Sequence, residues 1–187
     1  RAYLEHRSPS YEHRIDSLVK EIQDSVDSLW DPELYKSQTG RKTASDKFKP
    51  TSVPQMQWMI YDRMGLRPKL RSKRGTGAEI LESIENPPEF IQLVLQLRKV
   101  KKEYSTYVKS YLKVADENDI VHCTFNLHTT QTGRLSCTDP NLQNVPSGRP
   151  DVRRAFIPRG PGRILMEVDY SGAELRVLAH VSGDENL

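Results

Sequence analysis

The chain has little that could staple it together. Only 2 cysteines occur among 187 residues. Cys123 and Cys137 lie in different segments without metal-ligand spacing, so they read as reduced thiols of an intracellular protein rather than a disulfide or a zinc site. No run of eighteen apolar residues exists, which excludes a membrane-spanning helix. The first residues, Arg1-Ala2-Tyr3-Leu4-Glu5-His6-Arg7, lack the apolar core of a signal peptide. They also lack an initiator methionine, which reads as a chain that begins mid-protein or after a cut. Histidines with ligand spacing are missing too, so His122, His128 and His180 are read as structural. No internal repeat is visible. What remains is a polar chain, 36% hydrophobic and 28% charged, long enough for one domain or two small ones.

Its net charge of +3 conceals a division. Residues Lys36–Lys113 carry 17 basic and 7 acidic side chains, whereas the segments on either side are acidic. A positive middle third is the electrostatic footprint of a protein that meets a polyanion. A charge run of this kind is more often a solvated face, so its weight depends on what lies beside it.

Ser8-Pro9 reads as a helix start, with Ile15, Leu18, Val19, Ile22, Val26 and Leu29 at helical spacing for about five turns. Asp31-Pro32 reads as its end. Lys36–Pro50 is polar, basic and aperiodic, which predicts a mobile loop. Ser52-Val53-Pro54 opens a second helix around Met56, Trp58, Met59 and Ile60, closed by Gly65. Lys69–Gly75 is a basic loop. Thr76-Gly77-Ala78-Glu79 has the form of a capping box for a short helix through Ile84. The strongest pattern runs over Glu89–Leu112, with Phe90, Leu93, Val94, Leu97, Val100, Tyr104, Tyr107, Val108 and Tyr111 on one face. Asp116–Asp119 is a turn. Strands are predicted at Ile120–Leu127 and, as a hairpin, at Val152–Ile157 and Arg163–Val168. Helices followed by strands imply an α+β fold.

The organising stretch comes last. The apolar run Ile164–Val168 predicts a buried strand ending on Asp169. Ser171-Gly172-Ala173-Glu174 fits a second capping box, and Leu175, Leu178 and Ala179 continue at helical spacing to Gly183. A carboxylate is thereby placed at a strand end beside a helix N-terminus. Such a corner suits a divalent cation and a triphosphate, because the carboxylate holds the ion and helix-end N–H groups face anionic oxygens.

Asp169-Tyr170-Ser171-Gly172-Ala173-Glu174-Leu175-Arg176 resembles motif A of the family A DNA polymerases, the polymerase I family, whose usual pattern is Asp-Tyr-Ser-Gln-Ile-Glu-Leu-Arg. Gly172 and Ala173 depart from it; glycine after the serine resembles some phage replicative members. A second resemblance covers Thr132–Pro146, with Cys137 where the family has serine. Ser105-Thr106-Tyr107 is similar to the Ser-Thr-Tyr of the family's thumb helix. The resemblance is strong over Val121–Leu187, fair over Phe48–Leu112 and vague before that. It implies an incomplete right-hand fold, with a helical thumb over residues 1–113 and the N-terminal part of an antiparallel-sheet palm over 114–187. It also makes Lys36–Pro50 an insertion relative to shorter members.

The implied activity is deoxynucleotidyl transfer to a primer 3′-hydroxyl, with primer-template DNA and deoxynucleoside triphosphates as partners. Two Mg²⁺ ions, with Mn²⁺ as an alternative, are the implied cofactors. Asp169 and the Tyr170 carbonyl are the expected metal ligands. Tyr170, Ser171, Gly172, Ala173 and Glu174 are expected to line the nucleotide, with Glu174 filling the space a ribose 2′-hydroxyl needs. Arg134 is expected to reach the minor groove at the primer terminus. Arg98, Lys102, Ser105 and Thr106 are expected to grip DNA, and Asn141, Gln143 and Asn144 to hydrogen-bond template or primer. Read without the resemblance, the lysines are solvated and the three amides are turn formers. Arg176 could support Glu174 or the phosphates.

The resemblance also implies a nucleotide-binding helix and a second metal carboxylate that this sequence does not contain. The chain is therefore expected to need the remaining polymerase half, on the same longer chain or as a separate subunit, and to be inactive alone. The implied location is a bacterial cytoplasm or a phage-infected cell. A non-catalytic DNA-binding module is the alternative from another class. A single-subunit RNA polymerase is a third reading, which Glu174 opposes.

Overall fold

The computed structural model describes residues 1–70, 74–145 and 150–184. Its helices are α1 (Ala2–Val26), α2 (Pro32–Thr39), α3 (Val53–Gln57), α4 (Ala78–Glu82), α5 (Glu89–Glu103), α6 (Ser110–Val114), α7 (Pro150–Arg153) and α8 (Ala173–Ser182). Wider π-helical turns continue α3 over Trp58–Arg63 and join α5 to α6 over Tyr104–Lys109. Strands β1 (Thr124–Asn126) and β2 (Ser136–Thr138) pair antiparallel, Phe125 opposite Cys137. The fold is α+β and mostly helical.

The helix pair α1 and α5 is its axis. Leu18, Ile22 and Val26 of α1 share a core with Phe90, Ile91, Val94 and Leu97. Leu4 and Tyr11, earlier in α1, share a second core with Tyr104, Tyr107, Val108 and Tyr111. Rising numbers on α1 thus meet falling numbers on α5, so the helices run antiparallel. The first core is closed by Tyr35, Phe48, Met56, Trp58, Met59, Ile60 and Leu81. Trp30 packs edge-on against Phe48 and Trp58. The second core takes in Val152 of α7, with Leu142, Val145 and Phe156 against it.

Several local expectations are corrected. α1 begins at Ala2, well before Pro9, which lies inside the helix. A proline there removes one backbone bond at a cost of about 3 kcal/mol. Tertiary contacts offset that loss: Leu4 is buried, Tyr3 donates to Asp151 at 3.2 Å and Arg7 to the same carboxylate at 2.5 Å. Asp31-Pro32 starts a helix rather than ending one. The Asp31 carboxylate accepts from the N–H of Glu33 and of Leu34, an N-cap with proline next to it. Lys36–Pro50 is not simply a loop, since α2 runs through Thr39 and Phe48 is buried. The basic loop Lys69–Gly75 lies in part outside the described residues, as does Pro146.

Neither capping box forms. Gly77 and Gly172 occupy the N-cap positions of α4 and α8, with no side-chain cap bond. The turn at Asp116 is as expected, its carboxylate accepting from the N–H of Asn118 and Ile120. The predicted strand Ile120–Leu127 shrinks to β1 and a single bridge from Ala115 to Val121. Its partner β2 falls in a segment that carried no strand pattern. The hairpin predicted at Val152–Ile157 and Arg163–Val168 is absent: Val152 lies in α7, and residues 163–170 are irregular. Ile164, Leu165, Met166 and Val168 are exposed instead of buried. A strand needs a neighbour for its backbone groups, and no described segment pairs with this one as a strand.

Two thermodynamic outcomes follow from the helix pair. Replacing fully buried Ile22 by alanine should cost about 2–5 kcal/mol in urea denaturation. Tyr111 is buried beside Tyr107, which pushes its phenol up to about 12 from 10.0; burial and the bond to Glu103 raise Tyr11 as well. A phenol that ionises later in the folded state stabilises fully below pH 10 and progressively less above it. Stability should therefore fall between pH 10 and about 12, and Tyr111→Phe should flatten that part of the profile.

Candidate functional site

The site is assembled from the β1–β2 hairpin loop and the segment that leads into α8. Gly133 sits at φ 71°, and the side chain of Thr130 donates to the Arg134 carbonyl at 2.5 Å. The hydroxyls of Thr129 and Ser136 meet at 2.5 Å across the loop base. These bonds fix the backbone from which Arg134 projects. Its guanidinium reaches across to the Glu174 carboxylate. Glu174 stands in the first turn of α8, after Gly172 at φ 60° and ψ 37°. That left-handed backbone favours glycine and displaces Ser171 from the N-cap position. Glu174 is thereby released from the capping role read in the sequence and is taken up by Arg134.

Asp169, Tyr170, Ser171, Ala173 and Arg176 line an open recess of about 410 Å³. Asp169 is exposed and bonded by no described residue. Arg176 donates its Nε to the Ser171 carbonyl at 2.8 Å, so it braces the corner and does not hold Glu174. The N-terminal N–H groups of α8 open at the same corner as Asp169, and helix N-termini favour anions. The α8 C-terminus is as expected, with Gly183 left-handed and bonded to the Ala179 carbonyl.

The donor set bears on the expected metal. Among the described residues no group of three or more His, Cys, Asp or Glu could hold an ion. A lone exposed carboxylate with backbone carbonyls beside it still fits Mg²⁺, which keeps several waters and binds through one or two carboxylates plus substrate phosphates. At this corner the chain offers the Asp169 carboxylate. His122 bonds Asp116 at 2.9 Å and, with the Ile120 N–H, holds that carboxyl below its ordinary range.

The remaining expected contacts fall on two surfaces. Lys102, Ser105 and Thr106 are exposed along α5 and the π turn after it. Arg98, one turn before Lys102, is half-buried and donates to the Thr76 carbonyl; burial lowers its pKa. It locks α5 to the segment before α4, a role its sequence position did not reveal. Asn141, Gln143 and Asn144 are exposed. The Asn141 side chain accepts from the Gln143 N–H at 3.0 Å, as a turn former does. Tyr107 donates to the Asn144 carbonyl at 2.7 Å, which ties this loop to the same helix that carries Ser105 and Thr106. Tyr107 was legible as a core residue and through the Ser-Thr-Tyr resemblance, Ser136 only as part of the Thr132–Pro146 resemblance, and Thr129 and Thr130 carried no site signal.

The two cysteines are free thiols, and Cys137 is buried, accepting from the Leu142 N–H at 3.4 Å. No described helix is long and apolar enough to cross a membrane.

Comparison with known proteins draws these parts together. The model of DNA polymerase family A matches residues 13–187. DNA polymerase I of Bacillus subtilis (strain 168) is 41% identical over 151 residues, which is 77% of this chain and 17% of that protein. DNA polymerase I of Bacillus caldotenax is 40% identical over 182 residues, 93% of this chain and 20% of that protein. Among solved structures, the POL domain of Pol1 from M. smegmatis in complex with DNA primer-template and dNTP aligns with a TM-score of 0.62 and 26% identity, covering 99% of this chain and 34% of that one. The chain thus spans about a fifth of the curated relatives it matches. The family match takes in the second half of α1, the first core, the second core apart from its α1 residues, the hairpin that carries Arg134 and the corner at Asp169, and on that extent the chain belongs to DNA polymerase family A.

Proposed function

We propose that this chain supplies the thumb, residues 1–113, and the first part of the palm, residues 114–187, of a template-directed DNA polymerase. The observation that carries the reading is the position of Asp169. It is an exposed carboxylate, bonded by no described residue, at the lip of an open recess and next to the N-terminus of α8. In the reaction, the primer 3′-oxygen bonds to the α-phosphorus of a deoxynucleoside triphosphate. The bond from that phosphorus to the bridging oxygen breaks, and pyrophosphate leaves.

Asp169 and the Tyr170 carbonyl would hold Mg²⁺. Metal bound there would stabilise the charge that develops on the attacking and leaving oxygens. The free N–H groups at the start of α8 face the triphosphate, as helix N-termini suit anions. Ser171, Gly172 and Ala173 form the floor under it. Glu174 occupies the volume where a ribose 2′-hydroxyl would sit. Arg134 donates into the minor groove, where purine N3 and pyrimidine O2 accept from every base pair. Arg98, Lys102, Ser105 and Thr106 meet the duplex backbone, and Asn141, Gln143 and Asn144 meet template or primer. Contacts of the basic face are sequence-independent and weaken as salt rises.

The chain does this only with the remaining polymerase half. Ile164, Leu165, Met166, Val168, Leu175, Val177, Leu178 and Val181 are all exposed, an apolar surface larger than scattered single residues. That surface favours completion by further polymerase sequence, on the same chain or as a separate subunit, over a stand-alone DNA-binding module. Its substrates place the assembled enzyme inside a cell.

Primer extension by the complete polymerase tests the reading. Asp169→Asn should lower kcat at least a hundredfold while gel-shift affinity for primer-template stays within about threefold. Retained activity would remove the metal role. Glu174→Ala should raise incorporation of ribonucleotides relative to deoxynucleotides. Equal discrimination in variant and parent would remove the exclusion role.

A further inference from the structure

Arg134 and Glu174 lie 40 residues apart and on different elements, yet their side chains meet. No other described residue bonds the Glu174 carboxylate. Arg176, the nearest alternative cation in sequence, is engaged with the Ser171 carbonyl. The Arg134 contact uses Nη2 alone. A guanidinium has five N–H donors in a rigid plane, so Nε and Nη1 stay available for an acceptor on a duplex. The pair is 71% and 75% exposed, and an ion pair this wet is easily exchanged for another partner.

Resting on the reading of Glu174 as the sugar-excluding carboxylate, we propose that Arg134 is its positioning residue. Arg134 holds Glu174 over the nucleotide recess with one edge of the guanidinium and senses the primer terminus with the other. Selection of the sugar is then coupled to the shape of the preceding base pair. A terminus that offers its acceptors in the expected place leaves Arg134 between the two. A distorted terminus draws Arg134 away or leaves it unanchored, and Glu174 loses its seat. Geometry supports this order of dependence. The hairpin loop fixes the Arg134 backbone through Thr130, whereas among the described residues Glu174 has no side-chain partner besides Arg134.

The complete polymerase is assayed by kcat/KM for a deoxynucleotide and for the ribonucleotide of the same base, on a correctly paired primer. Parent, Arg134→Ala, Arg134→Lys, Glu174→Ala and the alanine double variant are compared. Arg134→Ala should narrow the preference for deoxynucleotide by about fivefold, the upper range for an exposed pair. Arg134→Lys, which keeps the charge but not the fork, should recover part of it. The double variant should discriminate no worse than Glu174→Ala alone, because the second change removes what the first acts through. A general folding or DNA-binding defect lowers both nucleotides by one factor and leaves the ratio intact. An intact ratio in Arg134→Ala, or losses that multiply in the double variant, would overturn the coupling. If Glu174→Ala itself keeps the parent ratio, the underlying reading of Glu174 fails and the coupling with it.

Discussion

The antiparallel contact between α1 and α5 is the constraint on which the other elements depend. Each helix is amphipathic, and neither is stable as an isolated apolar stripe in water. Their shared seam runs from Leu18–Val26 against Phe90–Leu97 at one end to Leu4–Tyr11 against Tyr104–Tyr111 at the other. Loops and short helices then close each end. Trp30, Tyr35, Phe48 and Trp58 cover the first, and α7 covers the second through Val152.

Most polar groups buried beside the seam are paired, the Arg7 Nε and the Tyr111 hydroxyl being exceptions among the described residues. Tyr11 donates to Glu103 at 2.6 Å. Tyr104 bonds both Ser8 and Glu12. Asp151 collects Tyr3 and Arg7. These bonds set the register of one helix on the other and hold α7 against both. Through α7, the helical body reaches the segment that leads to the site, since Arg153 pairs with Glu167 at 2.9 Å, two residues before Asp169. Two ion pairs, the second of them exposed, thus link the segment of the candidate metal carboxylate to a helix that begins at Ala2.

The helical half was legible in the sequence because helical periodicity is local. The stripes on α1 and α5 appeared with the right core members, and both ends of α1 were misplaced: Pro9 looked like a boundary until tertiary packing overrode it, and Asp31-Pro32 looked like the end but caps α2. The strands were poorly legible for the opposite reason. An apolar run such as Ile164–Val168 states a capacity to pair, and the neighbour that realises it is not written in the same window. Capping boxes failed similarly at Thr76 and Ser171. The spacing was present, but Gly77 and Gly172 took the cap positions. Asp169 and Glu174 were found from motif resemblance, whereas the Arg134–Glu174 contact was beyond reach because residues 40 positions apart share no local pattern.

After Val152, no described side chain is buried. The last core residue thus precedes the candidate nucleotide corner, and the two parts of the molecule answer to different demands. Substitutions before it are judged by cavity and volume. Beyond Phe156, which still packs against Tyr111, substitutions meet almost no packing penalty among the described residues, so the identities at Asp169 and Glu174 are free to be set by what approaches the recess from outside.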